Sequence, residues 1–252
     1  FKNGFSTGHG HLREPQSIIS YAALACITIQ ANQNEMHGGQ SIPNFDYGMA
    51  PGVKKAYKRL YVTNLGKMLD FLEDVEDGVE RMKALEGKIE HEYGVFPCMA
   101  WDNNYAELEL AELKKIVPEA EAMKMQDRSR KFADKEIRRK TYQAMEAFIH
   151  NLNTMHSRAG AQVPFSSINY GTDTSPEGRL VMESVMLATE AGLGNGETPI
   201  FPIQIFKVKE GVNYNPEDPN YDLFHLACKV SAKRLFPNFS FIDAPFNLQY
   251  YK

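Results

Sequence analysis

Cysteine is scarce: Cys26, Cys98 and Cys228 are the only three in 252 residues. Their wide spacing excludes a disulfide framework and a zinc site of the Cys-x-x-Cys type. An odd number of separated thiols suits a reducing cytosol, so a cytoplasmic location is expected. Tryptophan occurs once, at Trp101. No stretch approaches the roughly 18–20 apolar residues of a membrane span, so no membrane association is expected. Neither sign of charge dominates: 28 Lys and Arg against 32 Asp and Glu leave a net −4. The basic face on which nucleic-acid affinity rests is therefore missing, and no nucleic-acid partner is expected. The 18 Gly and 13 Pro follow no period, which excludes collagen-like and low-complexity chains. There is no internal repeat. The opening Phe1-Lys-Asn-Gly-Phe5 has no apolar signal region. It does not begin with Met, and the other end is the aromatic run Asn247-Leu-Gln-Tyr-Tyr-Lys252, so a piece of a longer protein is expected.

What the sequence does have is buriable surface: 43% hydrophobic residues, including 15 Phe, 12 Tyr and 11 Met. That supports a folded core rather than a disordered chain. The length allows one large domain or two small ones.

Residues 4–15, with three glycines and two histidines in close succession, predict a loop or short extended segment. Gln16 to Glu35 predicts a helix, with Ile18, Ala22, Ala25 and Ile29 on one face. Pro15 and Ser17 suit its start, and Gly38 and Gly39 a left-handed ending. From Asp46 to about Glu92 the pattern is helical again, broken near Gly66 and Gly78. Two more helices are expected over Asn104 to Val117 and Gln126 to His156, the second lined by Thr141, Met145, Phe148, Leu152 and Met155. Its basic turns, from Arg128 to Lys140, predict a solvated face; the alternative is a nucleotide or subunit contact. Thereafter strand and helix alternate: strand Val163–Tyr170, helix Ser175–Ala191, strand Pro199–Val208, helix Asp222–Leu235 and strand Ser240–Ile242. This is the mark of a βαβ architecture, and the continuous apolar run of the second strand predicts burial on both faces. Cys26 and Cys228 are both expected to be small buried hydrophobes.

Three loops could carry chemistry: 8–11, 37–41 and 157–162. Each combines glycine, which permits close backbone approach, with side chains able to donate to phosphate or carbonyl oxygens. Ligands in parallel α/β folds bind where such loops gather. His9 and His11 alternate along an extended chain and point to opposite faces, which argues against a metal pair. Gly192-Leu-Gly-Asn-Gly196 follows a helix and lacks the dinucleotide-binding spacing, so it predicts a turn. The residues alone support an α/β protein that binds a small anionic ligand at loops.

Specific strings carry a resemblance. Gly4-Phe-Ser-Thr-Gly-His-Gly-His-Leu-Arg-Glu-Pro-Gln-Ser-Ile18 is similar to the segment leading into the first barrel helix of the anaerobic (class III) ribonucleoside-triphosphate reductases. Gln33-Asn-Glu-Met-His-Gly-Gly-Gln-Ser-Ile-Pro43, Asp46-Tyr47 and Met49-Ala-Pro-Gly52 resemble the same family. So do the run from Ser157 to Asp173, Thr198-Pro-Ile-Phe-Pro202, Glu210-Gly-Val-Asn-Tyr214 and Asp218-Pro-Asn-Tyr-Asp222.

The resemblance implies the N-terminal part of a ten-stranded α/β barrel, of the ribonucleotide reductase and glycyl-radical enzyme type. Long helices would form a homodimer bundle. Residues 1–252 would be a partial catalytic barrel domain: 16–156 the mainly helical dimer and effector region, 157–252 the alternating barrel region. The ATP cone and the glycyl-radical domain would lie outside the chain. The implied activity is reduction of ribonucleoside triphosphates to deoxyribonucleoside triphosphates for DNA synthesis. A glycyl radical, installed by a radical-SAM iron–sulfur activase, would generate a thiyl radical that abstracts the ribose 3′ hydrogen. Formate or a thiol would be the reductant, and a deoxynucleoside triphosphate or ATP the effector. Zinc and the radical residues would sit in missing regions. None of the three cysteines matches a catalytic position, so the chain alone is expected to be inactive and no catalytic residue is carried over. The resemblance places His37, Gly38, Gly39, Gln40 and Ser41 beside substrate, and Glu14, Gln16, Arg158 and Gln162 at the effector. No metal ligand is expected within the chain. Two alternatives share the fold: a glycyl-radical enzyme of the pyruvate formate-lyase type, and a non-catalytic nucleotide-sensing module.

Overall fold

A computed structural model describes residues 4–7, 10–36, 38–72, 75–156 and 162–248. The chain divides into two compact units, Phe1–Val53 with Lys140–Lys252, and Lys54–Arg139. The division falls within two long helices, α2 (Phe45–Leu72) and α5 (Glu119–Thr154).

The first unit opens with an antiparallel pair, β1 (Phe5–Thr7) and β2 (Gly10–Leu12). Helix α1 (Ile18–Glu35) begins where Ser17 accepts a hydrogen bond from the Ser20 amide, satisfying one of the orphan donors of the first turn. It buries Ile18, Tyr21, Ala22, Ala25 and Ile29, as the period requires. Its end differs from expectation. Met36 caps it in an extended conformation and donates to Asn32 O, and only Gly38 beyond it has a positive φ, +98°.

Four parallel strands follow in the order β3 (Gln40–Ile42), β4 (Ser166–Tyr170), β5 (Ile203–Val208) and β6 (Asn238–Phe241). Helix α6 (Pro176–Ala191) joins β4 to β5, and α7 (Tyr221–Arg234) joins β5 to β6. Because strand order equals chain order, every crossover steps the same way. Crossovers of one hand then lie on one face of the sheet. That face carries Ile168, Tyr170, Phe206 and Val208, all buried. Phe206 meets Tyr170, Phe224 and Phe239 at ring distances of 5.8, 6.1 and 6.2 Å. The register puts Ser41, Ser167, Asn169, Ile203, Ile205, Asn238 and Ser240 on the opposite face. The expectation that β5 is buried on both faces holds at its carboxyl-terminal end, where Phe206, Lys207 and Val208 are all buried, and fails at its start, where Ile203 and Ile205 are only half-buried on the face away from the crossover helices.

Other elements match in kind and shift at their ends. Ser175 caps α6 by accepting from the Gly178 amide, with Pro176 at the first turn. The 192–196 segment is the expected turn, and Arg234 caps it by donating to Glu190 O, Ala191 O and Gly196 O. Cys26 is buried, but Cys228 is exposed, contrary to expectation. The buried stripe of α7 is Leu223, Ala227 and Val230, and position 228 lies about 100° from 227 around the helix.

The second unit is helical. The α2 portion, α3 (Gly78–Tyr93), α4 (Tyr105–Leu113) and the α5 portion surround Tyr57, Tyr61, Tyr105 and Glu109. The carboxylate of Glu109 accepts from Tyr61 Oη at 2.5 Å, Tyr105 Oη at 2.9 Å and Gln126 Nε2 at 2.8 Å. Burial pushes the Glu109 carboxyl above its ordinary value despite those donors. The predicted break at Gly66 does not occur. The helix runs through it, and the missing side chain lets the backbone of Gly78 and Val79 approach closely. The basic turns of α5 are largely exposed, as expected; Lys131 pairs with Asp127, Arg139 with Glu136, and Arg130 lies over the Trp101 ring.

Candidate functional site

The parallel register fixes where the candidate loops lie. Met36, Gly38 and Gly39 lead into β3, Gln162 to Phe165 into β4, and Pro199 to Pro202 into β5. They therefore share the amino-terminal edge of the sheet. This is the opposite edge from the one open α/β sheets usually offer to ligands.

At the carboxyl-terminal edge the ends of β5 and β6 line a hollow of about 450 Å³ with Glu210, Tyr214, Asp243 and Phe246, while the segment after β4 is filled by the protein's own side chains. Asp46, fully buried at the start of α2, accepts with Oδ2 from the amides of Gly171, Thr172 and Asp173 at 2.9, 3.1 and 3.1 Å. Three consecutive amides aimed at one oxygen form a nest, the arrangement that elsewhere binds free anions. Asn213 donates to Gly171 O and Lys207 O, and Asn220 to Gly171 O and Asp173 O. Lys207 Nζ donates to Asn44 Oδ1 at 2.6 Å. Desolvation lowers the Lys207 ammonium below its ordinary value, against the pull of Asp46. Gly171, at φ +137°, fits here because a Cβ would strike the Lys207 backbone.

At the amino-terminal edge, the Gln40 amide donates to Phe165 O at 2.9 Å. A Cβ on Gly39 would come within 2.8 Å of the Phe165 ring, while nothing lies within 4 Å of one on Gly38. Phe165 meets Phe201 edge-on at 5.1 Å. Asn153, near the end of α5, ties down the next loop. Its Oδ1 accepts from the Ile200 and Phe201 amides, and its Nδ2 donates to Phe201 O at 2.6 Å. One carboxamide thus satisfies three backbone groups that a strand entrance would leave unpaired.

Of the proposed substrate set, Gly38, Gly39, Gln40 and Ser41 run consecutively along this edge. His37 lies outside the described residues, as does Arg158 of the effector set. Gln162 is exposed at the entrance to β4. Glu14 and Gln16 flank the other end of α1, lining a hollow of about 240 Å³ with Arg13, Ser20, Ala23 and Ile27. The amino-terminal sheet edge goes with the far end of that helix, where Gln30 Nε2 donates to His156 O at 2.8 Å. About 18 Å of helix separates Ile18 from Gln30 at 1.5 Å per residue. Among the described residues, Gly38, Gly39, Gln40 and Ser41 lie together, while Gln162 lies apart from Glu14 and Gln16. Sequence reasoning missed Phe165 and Asn153, which carry no local signal. It quoted Asp46 without foreseeing its role as an internal anion.

Among the described residues no group of three or more His, Cys, Asp or Glu could hold a metal ion. No helix of the described residues is long and apolar enough to cross a membrane. Burial pushes the Cys26 thiol up to about 12, a packing cysteine rather than a reactive one.

Comparison with known proteins concerns the chain as a whole. The family described as anaerobic ribonucleoside-triphosphate reductase matches residues 1–252. The chain is 28% identical over 239 residues to the anaerobic ribonucleoside-triphosphate reductase of Enterobacteria phage T4, covering 94% of this chain and 30% of that protein. It is 26% identical over 236 residues to the enzyme of the same name from Escherichia coli K12, covering 93% of this chain and 25% of that protein. The Haemophilus influenzae enzyme of that name is 25% identical over 236 residues. The chain spans between a quarter and a third of the length of these curated relatives. With a family match across its whole length, the chain belongs to the anaerobic ribonucleoside-triphosphate reductase family.

Proposed function

We propose that the chain forms the first part of the catalytic barrel of an enzyme that reduces ribonucleoside triphosphates to deoxyribonucleoside triphosphates by glycyl- and thiyl-radical chemistry. The family match over residues 1–252 carries this reading. The parallel sheet with all its crossovers stepping one way supports it, since such a sheet can continue into a ten-stranded barrel. The radical glycine, the zinc and the reacting cysteines belong to regions outside this chain, and the residues described here would bind and orient rather than react. A radical-SAM activase would install the radical, and formate or a thiol would supply the electrons.

In this reading the nucleotide lies along the amino-terminal sheet edge, against Gly38, Gly39, Gln40 and Ser41, with His37 in the same loop. The absence of a side chain at 38 lets a sugar or phosphate reach the backbone, whereas the same position on Gly39 is covered by the Phe165 ring. The effector would be held between two copies of the chain. Glu14 and Gln16 of one copy would face Arg158 and Gln162 of the other. Two observations favour a shared site: within one chain Gln162 lies away from Glu14 and Gln16, and α1 exposes Ile19, Ala23 and Ile27 at helical spacing beside the hollow. Coupling between effector and substrate would be on the order of 1–3 kcal/mol. The cytosol is the compartment such chemistry implies.

The test is anaerobic turnover by the full-length protein with its activase, reading deoxyribonucleoside triphosphate product from each of the four substrates with and without effectors. Product whose identity follows the effector is expected. A formed glycyl radical with no product from any ribonucleotide would overturn the reading.

A further inference from the structure

We propose that Phe165 is a stacking platform for a nucleobase at the amino-terminal edge of the sheet. The inference rests on the nucleotide reading above and gives it a recognition residue.

Phe165 is held in place by two neighbours. Its ring packs on Gly39, where even a methyl group would strike it, and the edge contact with Phe201 at 5.1 Å and 64° fixes its tilt. Its backbone is held as well: the carbonyl accepts from Gln40, and the next residue begins β4. Phe201 is itself buried and anchored by Asn153. Phe165 is thus pre-organised, yet the residue remains 52% exposed. Ile200 and Met36 stand exposed on the same edge at 67% and 60%.

The chemistry of the surroundings selects the ligand. From Met36 to Gln40, from Gln162 to Phe165 and from Ile200 to Pro202, the described residues carry no charge. Among these described residues a phosphate would find no cation. The polar side chains are the carboxamides of Gln40 and Gln162, each with donors and an acceptor, which match the edge of a heteroaromatic base. A planar base would stack on the ring, its edge within reach of an amide. The open backbone at Gly38, with nothing within 4 Å of a Cβ position, leaves room for the attached sugar. Stacking of a base on an aromatic side chain contributes about 1–3 kcal/mol.

The experiment measures equilibrium binding of ribonucleoside triphosphates to the full-length protein, kept anaerobic and without its radical. Phe165→Leu keeps the apolar bulk and removes the ring face. Phe165→Trp keeps a larger face and controls for misfolding. Ribose 5-triphosphate, which lacks the base, is the second probe. Phe165→Leu is expected to weaken nucleotide binding about 10- to 100-fold. Phe165→Trp should retain it, and ribose 5-triphosphate should bind equally to all three proteins. Equal nucleotide affinity in wild type and Phe165→Leu would overturn the inference while leaving the proposed function intact. Loss of ribose 5-triphosphate binding in step with nucleotide would also overturn it, by showing a collapsed loop. A wild-type protein that binds no ribonucleotide would remove the nucleotide reading itself.

Discussion

Removing the Asp46 carboxylate is the sharpest perturbation the structure offers. Its two oxygens accept four backbone N–H groups: Tyr47 at 3.0 Å on Oδ1, and Gly171, Thr172 and Asp173 on Oδ2. In Asp46→Ala all four lose their acceptor. The bonds from Gly171 and Asp173 are enclosed, and each buried orphan costs about 1–3 kcal/mol. Those from Tyr47 and Thr172 are partly exposed, so water can replace the oxygen there. The expected destabilisation is therefore about 2–6 kcal/mol, a large share of the roughly 5–15 kcal/mol by which a domain is stable. Asp46→Asn keeps the shape and one acceptor oxygen but loses the charge, and should cost about 1–3 kcal/mol. Peptide-resolved hydrogen exchange on the full-length protein reads the effect where it arises. Amides of residues 171–173 should exchange at least about 30-fold faster in Asp46→Ala, the equivalent of 2 kcal/mol. The urea midpoint should fall in the order wild type, Asn, Ala. Unchanged exchange at 171–173 with an unchanged midpoint would refute the account of Asp46 as the internal anion of that nest.

Gly66→Ala should destabilise by about 1–3 kcal/mol in a urea titration, because the new methyl meets the backbone of Gly78 and Val79, which cannot rotate away. Glu109 is raised in the folded state above its ordinary 4.5, so as pH rises through that value the unfolded chain loses its proton first. Stability supplied by the protonated form is then lost as pH climbs toward the folded value. Glu109→Gln should flatten this decline in urea midpoints taken across the range, and an unchanged slope would count against it. Ile27→Glu, on the exposed stripe of α1, should shift the full-length protein from dimer to monomer in sedimentation at micromolar concentration; an unaltered dimer would place the subunit interface elsewhere.

Local chemistry was enough for much of the architecture. Ser17 and Ser175 announce helix starts, and the 3.6-residue period of Ile18, Ala22, Ala25 and Ile29 gives the buried face of α1. Alternating strand and helix after residue 162 gives the parallel sheet. The errors came where a neighbour outvotes a propensity. Gly66 should break a helix, but helix packing needs the space its hydrogen leaves. Cys228 is a hydrophobe by type, yet it falls off the stripe that its own helix buries.

The sequence by itself determined that the chain is a folded α/β protein, and its ordered strings determined its family. Periodicity and turn chemistry act over a few residues, and family strings need no geometry at all. Only the tertiary structure decided what fills each edge of the sheet. Asp46 must be brought to residues 171–173, and Lys207 to Asn44, before the segment after β4 is filled. Phe165 must meet Gly39 and Phe201 before it becomes a fixed ring rather than one more aromatic. Such contacts join positions from 36 to 163 residues apart, and no local pattern encodes a partner at that distance.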